Sequence, residues 1–158
     1  MKNLKAFTMI ELVFVIVVLG ILAGIAVPRL AATRDDATIA KMRGDIASIR
    51  GGLAMLRGEN MMRGVTSWPA LEGADNNTLF DAVLQQPIYP MKAGGRNGWT
   101  LVTNGNANAT STYTATVAGQ STTFNYYPTA ASRPAGSTVN VGSFDCNHQE
   151  PLCQSLAQ

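Results

Sequence analysis

The side chains able to do chemistry are few, and most gather near one end of the chain. His148 is the only histidine. It lies between the only two cysteines, Cys146 and Cys153, with Asp145 and Glu150 close by. Two thiols, an imidazole and a carboxylate have the donor types of a metal site, but Cys146, His148, Glu150 and Cys153 follow no established zinc spacing. The competing reading is a disulfide around six residues (Asn-His-Gln-Glu-Pro-Leu). Such a bridge would pin the tail and stabilise it by roughly 2–3 kcal/mol. Asp145 and Glu150 alone are a thin basis for calcium, which takes about six to eight oxygen ligands. With one histidine and no carboxylate pair at catalytic spacing, acid–base or triad chemistry lacks its components. No catalytic residue, cofactor site or metal ligand is assigned, and the chain is not expected to be an enzyme.

The other unusual group is Glu11. From Leu12 to Val27 the chain runs sixteen residues without a charge, and Glu11 stands at the head of that run behind a basic leader containing Lys2 and Lys5. A carboxylate in an apolar span costs roughly 2.5–3.5 kcal/mol on insertion scales unless it has a partner. Phe7 to Val27 is 21 residues, about 31 Å of helix at a rise of about 1.5 Å per residue, enough for one membrane crossing. Lys2 and Lys5 favour a cytoplasmic N-terminus, although Arg29 and Arg34 follow the span and oppose that bias. With the rest of the chain exported, the cysteines would lie where a disulfide persists. Ala23, Ala26, Ala31 and Ala32 could serve a secretory cleavage site, which is the alternative to a retained helix.

The net charge of +2 hides a gradient. From Arg29 to Arg57 six basic residues face three acidic ones, and from Gly58 onward four basic face six acidic. The C-terminal part is therefore not a cationic nucleic-acid binder of the kind that neutralises phosphates. DNA binding is disfavoured, with Lys92 and Arg96 near Trp99 left as a local patch.

The leader, Ala6-Phe7-Thr-Met-Ile-Glu11-Leu, the apolar run and then Pro28 resemble the N-terminus of the type IV pilin and type II secretion pseudopilin superfamily. The resemblance is confined to about the first 35 residues. It implies that a prepilin peptidase cuts between Ala6 and Phe7 and that the new Phe7 amine is N-methylated. The residue before the cut is usually glycine in that family and is Ala6 here, the next smallest, so processing is expected at a reduced rate. The retained helix would become the packing core of a filament, with the Phe7 ammonium of one subunit meeting Glu11 of a neighbour. Such pairing removes two unpaired charges from hydrocarbon and sets axial register. Gly20 and Gly24 form a small-xxx-small pair that permits close helix approach. Pro28 removes the hydrogen bond to Gly24, and in the family the stretch before this proline is often unwound in the filament. Glu11, Gly20, Gly24 and Pro28 are thus the expected assembly residues. Many type IV pilins also close a C-terminal disulfide loop, which favours pairing of Cys146 with Cys153.

Ile39, Met42, Ile46, Ile49, Leu53 and Leu56 alternate spacings of three and four, the seam of a helix with one buried stripe. One helix is expected from about Phe7 to about Arg57, with Gly51-Gly52 as an earlier possible end. Met42-Arg-Gly44, Ile49-Arg-Gly51 and Leu56-Arg-Gly58 repeat every seven residues. The glycines either allow close packing against another subunit or the head's own sheet, or are simply tolerated. Beyond, a short amphipathic helix is expected at Leu79–Leu84, stopped before Pro87. Strands are expected at Trp99–Thr103, Ser111–Val117 and Thr122–Tyr127, with the last two in a hairpin around Ala118-Gly119-Gln120 and a fourth strand at Thr138–Phe144.

These elements amount to an α+β, pilin-like fold. A leader (1–6) precedes a transmembrane and filament-core helix (7–28) and an amphipathic helix (29–57). A head follows (58–158), with an antiparallel sheet and a C-terminal disulfide loop. The expected function is a structural subunit of a type IV pilus-like filament used in adhesion, motility or DNA uptake. The alternatives are a pseudopilin driving protein export and a membrane-tethered periplasmic protein that does not polymerise. The resemblance implies as partners the inner membrane, prepilin peptidase, other pilin or pseudopilin subunits and an ATPase-driven assembly platform. It places the N-terminus in the cytoplasm and the head in the periplasm before assembly.

Overall fold

The computed structural model describes residues 7–75, 77–135 and 138–157, with the backbone alone at 28, 31 and 32. The chain divides into two compact units, Met1–Ala37 and Thr38–Gln158, and helix α1 (Met9–Met62) contributes to both.

In the first unit α1 opens at Thr8, whose hydroxyl accepts the Glu11 N–H at 3.3 Å while its carbonyl accepts the Leu12 N–H. Every described side chain from Phe7 to Val27 is exposed. A helix that is apolar all round is stable only when something outside it covers that surface.

In the second unit the seam of α1 is buried as its spacing predicts. Met42, Ile46, Ile49 and Leu53 face the core, and Ile39 packs at its margin. They meet a four-stranded antiparallel sheet in the order β1 (Gly98–Thr103), β2 (Ser111–Val117), β3 (Gln120–Tyr126) and β4 (Phe144–Cys146). Register places Trp99 opposite Ala115, Tyr113 opposite Phe124, and Tyr126 opposite Phe144. These residues share the inner face because side chains alternate across a strand. Val117 and Gln120 pair across the tight turn at Ala118-Gly119, where both φ values are positive, 53° and 84°. That is the backbone of a type I′ hairpin turn.

Four sequence expectations are corrected. First, α1 does not stop near Arg57 but runs to Met62. It ends in a Schellman cap, with Val65 N–H bonded to Asn60 O, Gly64 N–H to Met61 O, and Gly64 at φ 80°. Second, Gly51-Gly52 does not break the helix. Instead, Gly52 lets the Val83 carbonyl lie against α1, in space that a Cβ would occupy. Third, residues 79–84 form no amphipathic helix. Leu79 pairs with Ile88 in an isolated bridge, and Phe80 takes φ 62° to drive its fully buried ring into the core. There it stacks on Tyr113 at 4.4 Å and meets Trp99 and Phe144 edge-on. Each such aromatic contact is worth about 0.5–1.5 kcal/mol beyond its buried area, which outweighs a short helix. Fourth, β4 starts at Phe144 rather than Thr138. Gly142, at φ 82°, turns the chain there against the Trp68 indole, leaving no room for a side chain.

Candidate functional site

The N-terminal segment combines an exposed Phe7 with an exposed Glu11 in the first turn of α1. Thr8-Met-Ile-Glu11 has the S/T-x-x-E pattern of a capping box, and the Thr8 half of it is formed. Glu11 thus has a local role that the resemblance alone did not suggest: a carboxylate in the first turn, where the helix dipole favours it. A Cβ added at Gly20 or Gly24 would meet nothing within 4 Å, so nothing among the described residues requires their small size. The backbone stays helical through Pro28. The leader, with Ala6, lies outside the described residues. Met9–Val27, 19 residues, is long and apolar enough to cross a membrane.

Residues 1–27 match the model of the prokaryotic N-terminal methylation motif. A segment of this kind opens type IV pilins and pseudopilins, and the match is confined to it, 27 of the 158 residues. The matched segment ends at Val27, two residues before the first charge after the apolar run, Arg29. No curated protein and no solved structure is significantly similar to the chain.

In the head, Cys146 and Cys153 are joined in a disulfide with Cα atoms 5.9 Å apart. The bridge ties β4 to helix α2 (Pro151–Leu156), and it removes both thiolates from the competing metal reading. His148 Nε2 lies 3.0 Å from Asp145 Oδ2, and the Asp145 Oδ1 accepts Arg50 at 3.1 Å. Glu150 turns the other way and accepts the buried Thr122 hydroxyl. The two carboxylates once considered for calcium therefore serve different partners. Among the described residues, no group of three or more His, Cys, Asp or Glu side chains could hold a metal ion.

The heptad arginines stitch α1 to the rest of the head. Arg43 donates to Ser155 O at 2.6 Å. Arg50 donates to Phe144 O as well as to Asp145. Arg57 donates to Thr66 O and Ser67 O, with its guanidinium 5.0 Å from the centre of the Trp68 ring. Arg50, Trp68, Phe144, Asp145 and His148 line a surface pocket of about 390 Å³. Trp68 itself is held between Arg57 and Gly142. Trp99 gives the Lys92/Arg96 patch no aromatic platform, because it is buried and donates its Nε1–H to Asp45 at 3.1 Å.

Glu72 was not singled out by any sequence pattern. It is 8 % exposed and accepts the Phe80 N–H at 3.1 Å and the Tyr113 hydroxyl at 2.5 Å. Burial pushes its carboxyl above the usual carboxylate range, Asp81 adds to the rise, and the two hydrogen bonds oppose it. Tyr113 is pushed up by burial and by Glu72. Asp75 moves the other way, held down by the Asn77 N–H and the Thr78 hydroxyl. The left-handed backbone at Phe80 aims its N–H at Glu72, so only the folded loop reveals this acid.

Proposed function

We propose that this chain is a structural subunit of a type IV pilus-like filament. It is made as a prepilin, cut between Ala6 and Phe7, N-methylated at Phe7, and held in the inner membrane with its head in the periplasm. It is then assembled by an ATPase-driven platform. The observation that carries this reading is the methylation motif at residues 1–27 leading into an uncovered apolar helix with one carboxylate in its first turn. Packing such helices together covers the apolar surface, and pairing the Phe7 ammonium with a neighbouring Glu11 removes two isolated charges. Gly20, Gly24 and Pro28 would let neighbouring helices approach and yield.

The C-terminal disulfide favours a type IV pilin, and a minor pseudopilin is the second reading. The intact mass of the membrane-extracted protein tests the first step. Loss of residues 1–6 with gain of one methyl group is expected, and a mature protein that keeps the leader overturns it. Recovery of the protein in filaments sheared from the cell surface is expected for a pilus. Normal surface filaments with loss of an exported protein on deletion would instead mark a pseudopilin.

A further inference from the structure

The cavity beside Arg50 takes no part in the membrane span or in the proposed assembly. It holds about 390 Å³, lies wholly within the second unit, and opens between α1, the Trp68 loop and β4. That volume is at the lower end of small-molecule pockets, roughly 300–1,000 Å³. Leu53, Ala54 and Trp68 give it apolar walls, and Arg50, Asp145 and His148 a polar one. The polar wall is fixed by its own bonds. Arg50 Nε donates to Phe144 O and Arg50 Nη2 to Asp145 Oδ1, both at 3.1 Å. Asp145 Oδ1 also accepts the Cys146 N–H, and Asp145 Oδ2 lies 3.0 Å from His148 Nε2. Gln154 of α2 donates to His148 O at 2.9 Å, so the disulfide loop is held from both ends. Gly142 and Arg57 hold the Trp68 indole between them. Both oxygens of the one carboxylate are thus engaged, and what is left over is donor capacity. Arg50 Nη1 and the Trp68 Nε1–H have no partner among the described residues. Guanidinium and indole N–H groups donate and never accept.

We propose that this pocket binds a small organic acid, one carboxylate on a compact aromatic or branched apolar body. The carboxylate accepts from Arg50 Nη1 in a charge-assisted bond. The apolar body covers the wall formed by Leu53, Ala54 and Trp68. Because Arg50 is already oriented by Phe144 O and Asp145, the ligand does not have to order it, which lowers the cost of binding. The site belongs to one head alone, so this inference stands or falls apart from the filament reading.

The test uses the full chain, isotope-labelled, in non-ionic detergent micelles. Phenylacetate is the probe, and phenylacetamide, its neutral isostere, is the control. The two tryptophans give two indole N–H resonances. Phenylacetate should shift the Trp68 resonance saturably and leave that of Trp99 in place, since Trp99 is buried and bonded to Asp45. Phenylacetamide should bind on the order of tenfold more weakly, because a charged acceptor makes the stronger bond to Arg50. Ala54 is exposed on α1 and lines the cavity, so it can be changed without touching the core. Ala54→Phe fills the space, and Ala54→Glu supplies a competing carboxylate one helical turn from Arg50. Both should abolish the shift, whereas Ala54→Ser should keep it. An unmoved Trp99 resonance in each variant reports that the head is folded. Absence of a saturable Trp68 shift, equal binding of the amide, or binding retained in either blocking variant overturns the proposal.

Discussion

Different substitutions separate the local place of Glu11 in the first turn of α1 from the register role proposed above. As a first-turn carboxylate it supports the start of α1, a local effect of about 0.3–1 kcal/mol. The Thr8 cap, formed at 3.3 Å, is worth about 1 kcal/mol when replaced by alanine. In the proposed pairing with a neighbour's Phe7 ammonium, Glu11 would offset about 3 kcal/mol that either charge would cost unpaired in the apolar span. Converted at about 1.4 kcal/mol per decade, the local effects change assembly about fivefold or less, and the charge pair changes it on the order of a hundredfold. Glu11→Gln keeps a side chain suited to the capping box but removes the charge. The expected order is therefore a mild defect in Thr8→Ala and a severe one in both Glu11→Gln and Glu11→Ala, with all three still inserted in the membrane. Far-UV circular dichroism in micelles reports the helix, and the fraction of subunit in sedimentable filaments reports assembly. If Glu11→Gln assembles like the native chain while Thr8→Ala fails, capping explains Glu11 and the register role is wrong.

Four further outcomes concern the head. Arg50→Ala removes the donors to Phe144 O and Asp145; because the paired side chains are 41 % and 36 % exposed, the loss should be modest, about 1–2 kcal/mol, read as a lower near-UV melting temperature. Glu72 has a raised folded-state pKa, so the folded state binds its proton more readily than the unfolded one, and stability should rise as pH falls through that value towards the ordinary 4.5. Glu72→Gln, which still accepts from Phe80 N–H and Tyr113, should flatten that part of the profile without loss of stability; an unchanged profile removes Glu72 as its cause. Ala118→Gly should stabilise by about 0.5–1 kcal/mol, because Ala118 occupies a left-handed turn position at φ 53°. Reducing the Cys146–Cys153 bridge should cost roughly 2–3 kcal/mol and loosen α2, with added peptide cleavage near Pro151 as the readout.

The elements with a strong period were legible. The three-and-four spacing from Ile39 to Leu53 marks a buried stripe, and the Thr/Tyr alternation of Ser111–Val117 marks a half-buried strand to the residue. The methylation segment was legible because its signal is local: a leader, an aromatic, a glutamate and an apolar run. What escaped depends on contacts between distant segments. Leu79–Leu84 has a helical spacing, but Phe80 satisfies Trp99, Tyr113 and Phe144 better than it satisfies a helix. Glu72 looks like any loop carboxylate until Tyr113, 41 residues away, closes over it. The fourth strand, expected at Thr138–Phe144, lies at Phe144–Cys146 because Gly142 turns the chain against Trp68 first.

The seven-residue repeat sharpens what the head leaves for other molecules. Its arginines and glycines are adjacent in sequence but have opposite fates. Arg43, Arg50 and Arg57 each donate to backbone carbonyls of the same head, while Gly44, Gly51 and Gly58 face open space. The reading in which these glycines pack on the head's own sheet is therefore wrong; the glycine that a contact within the head requires is Gly52, against the Val83 carbonyl of the loop before β1. Each interior glycine costs roughly 1 kcal/mol relative to alanine, and the head returns none of that cost at positions 44, 51 and 58. A second helix approaching this face would return it, since absent side chains let backbones come close. The same repeat thus holds α1 to β4, α2 and the loop at 66–67 along one edge and keeps the adjoining edge bare. Gly51→Leu, set against Gly52→Ala, separates the two uses. The first should leave head stability intact and impair assembly. The second should unfold the head at a lower temperature because its Cβ collides with Val83. Impaired folding in Gly51→Leu would show that the open edge serves the head after all.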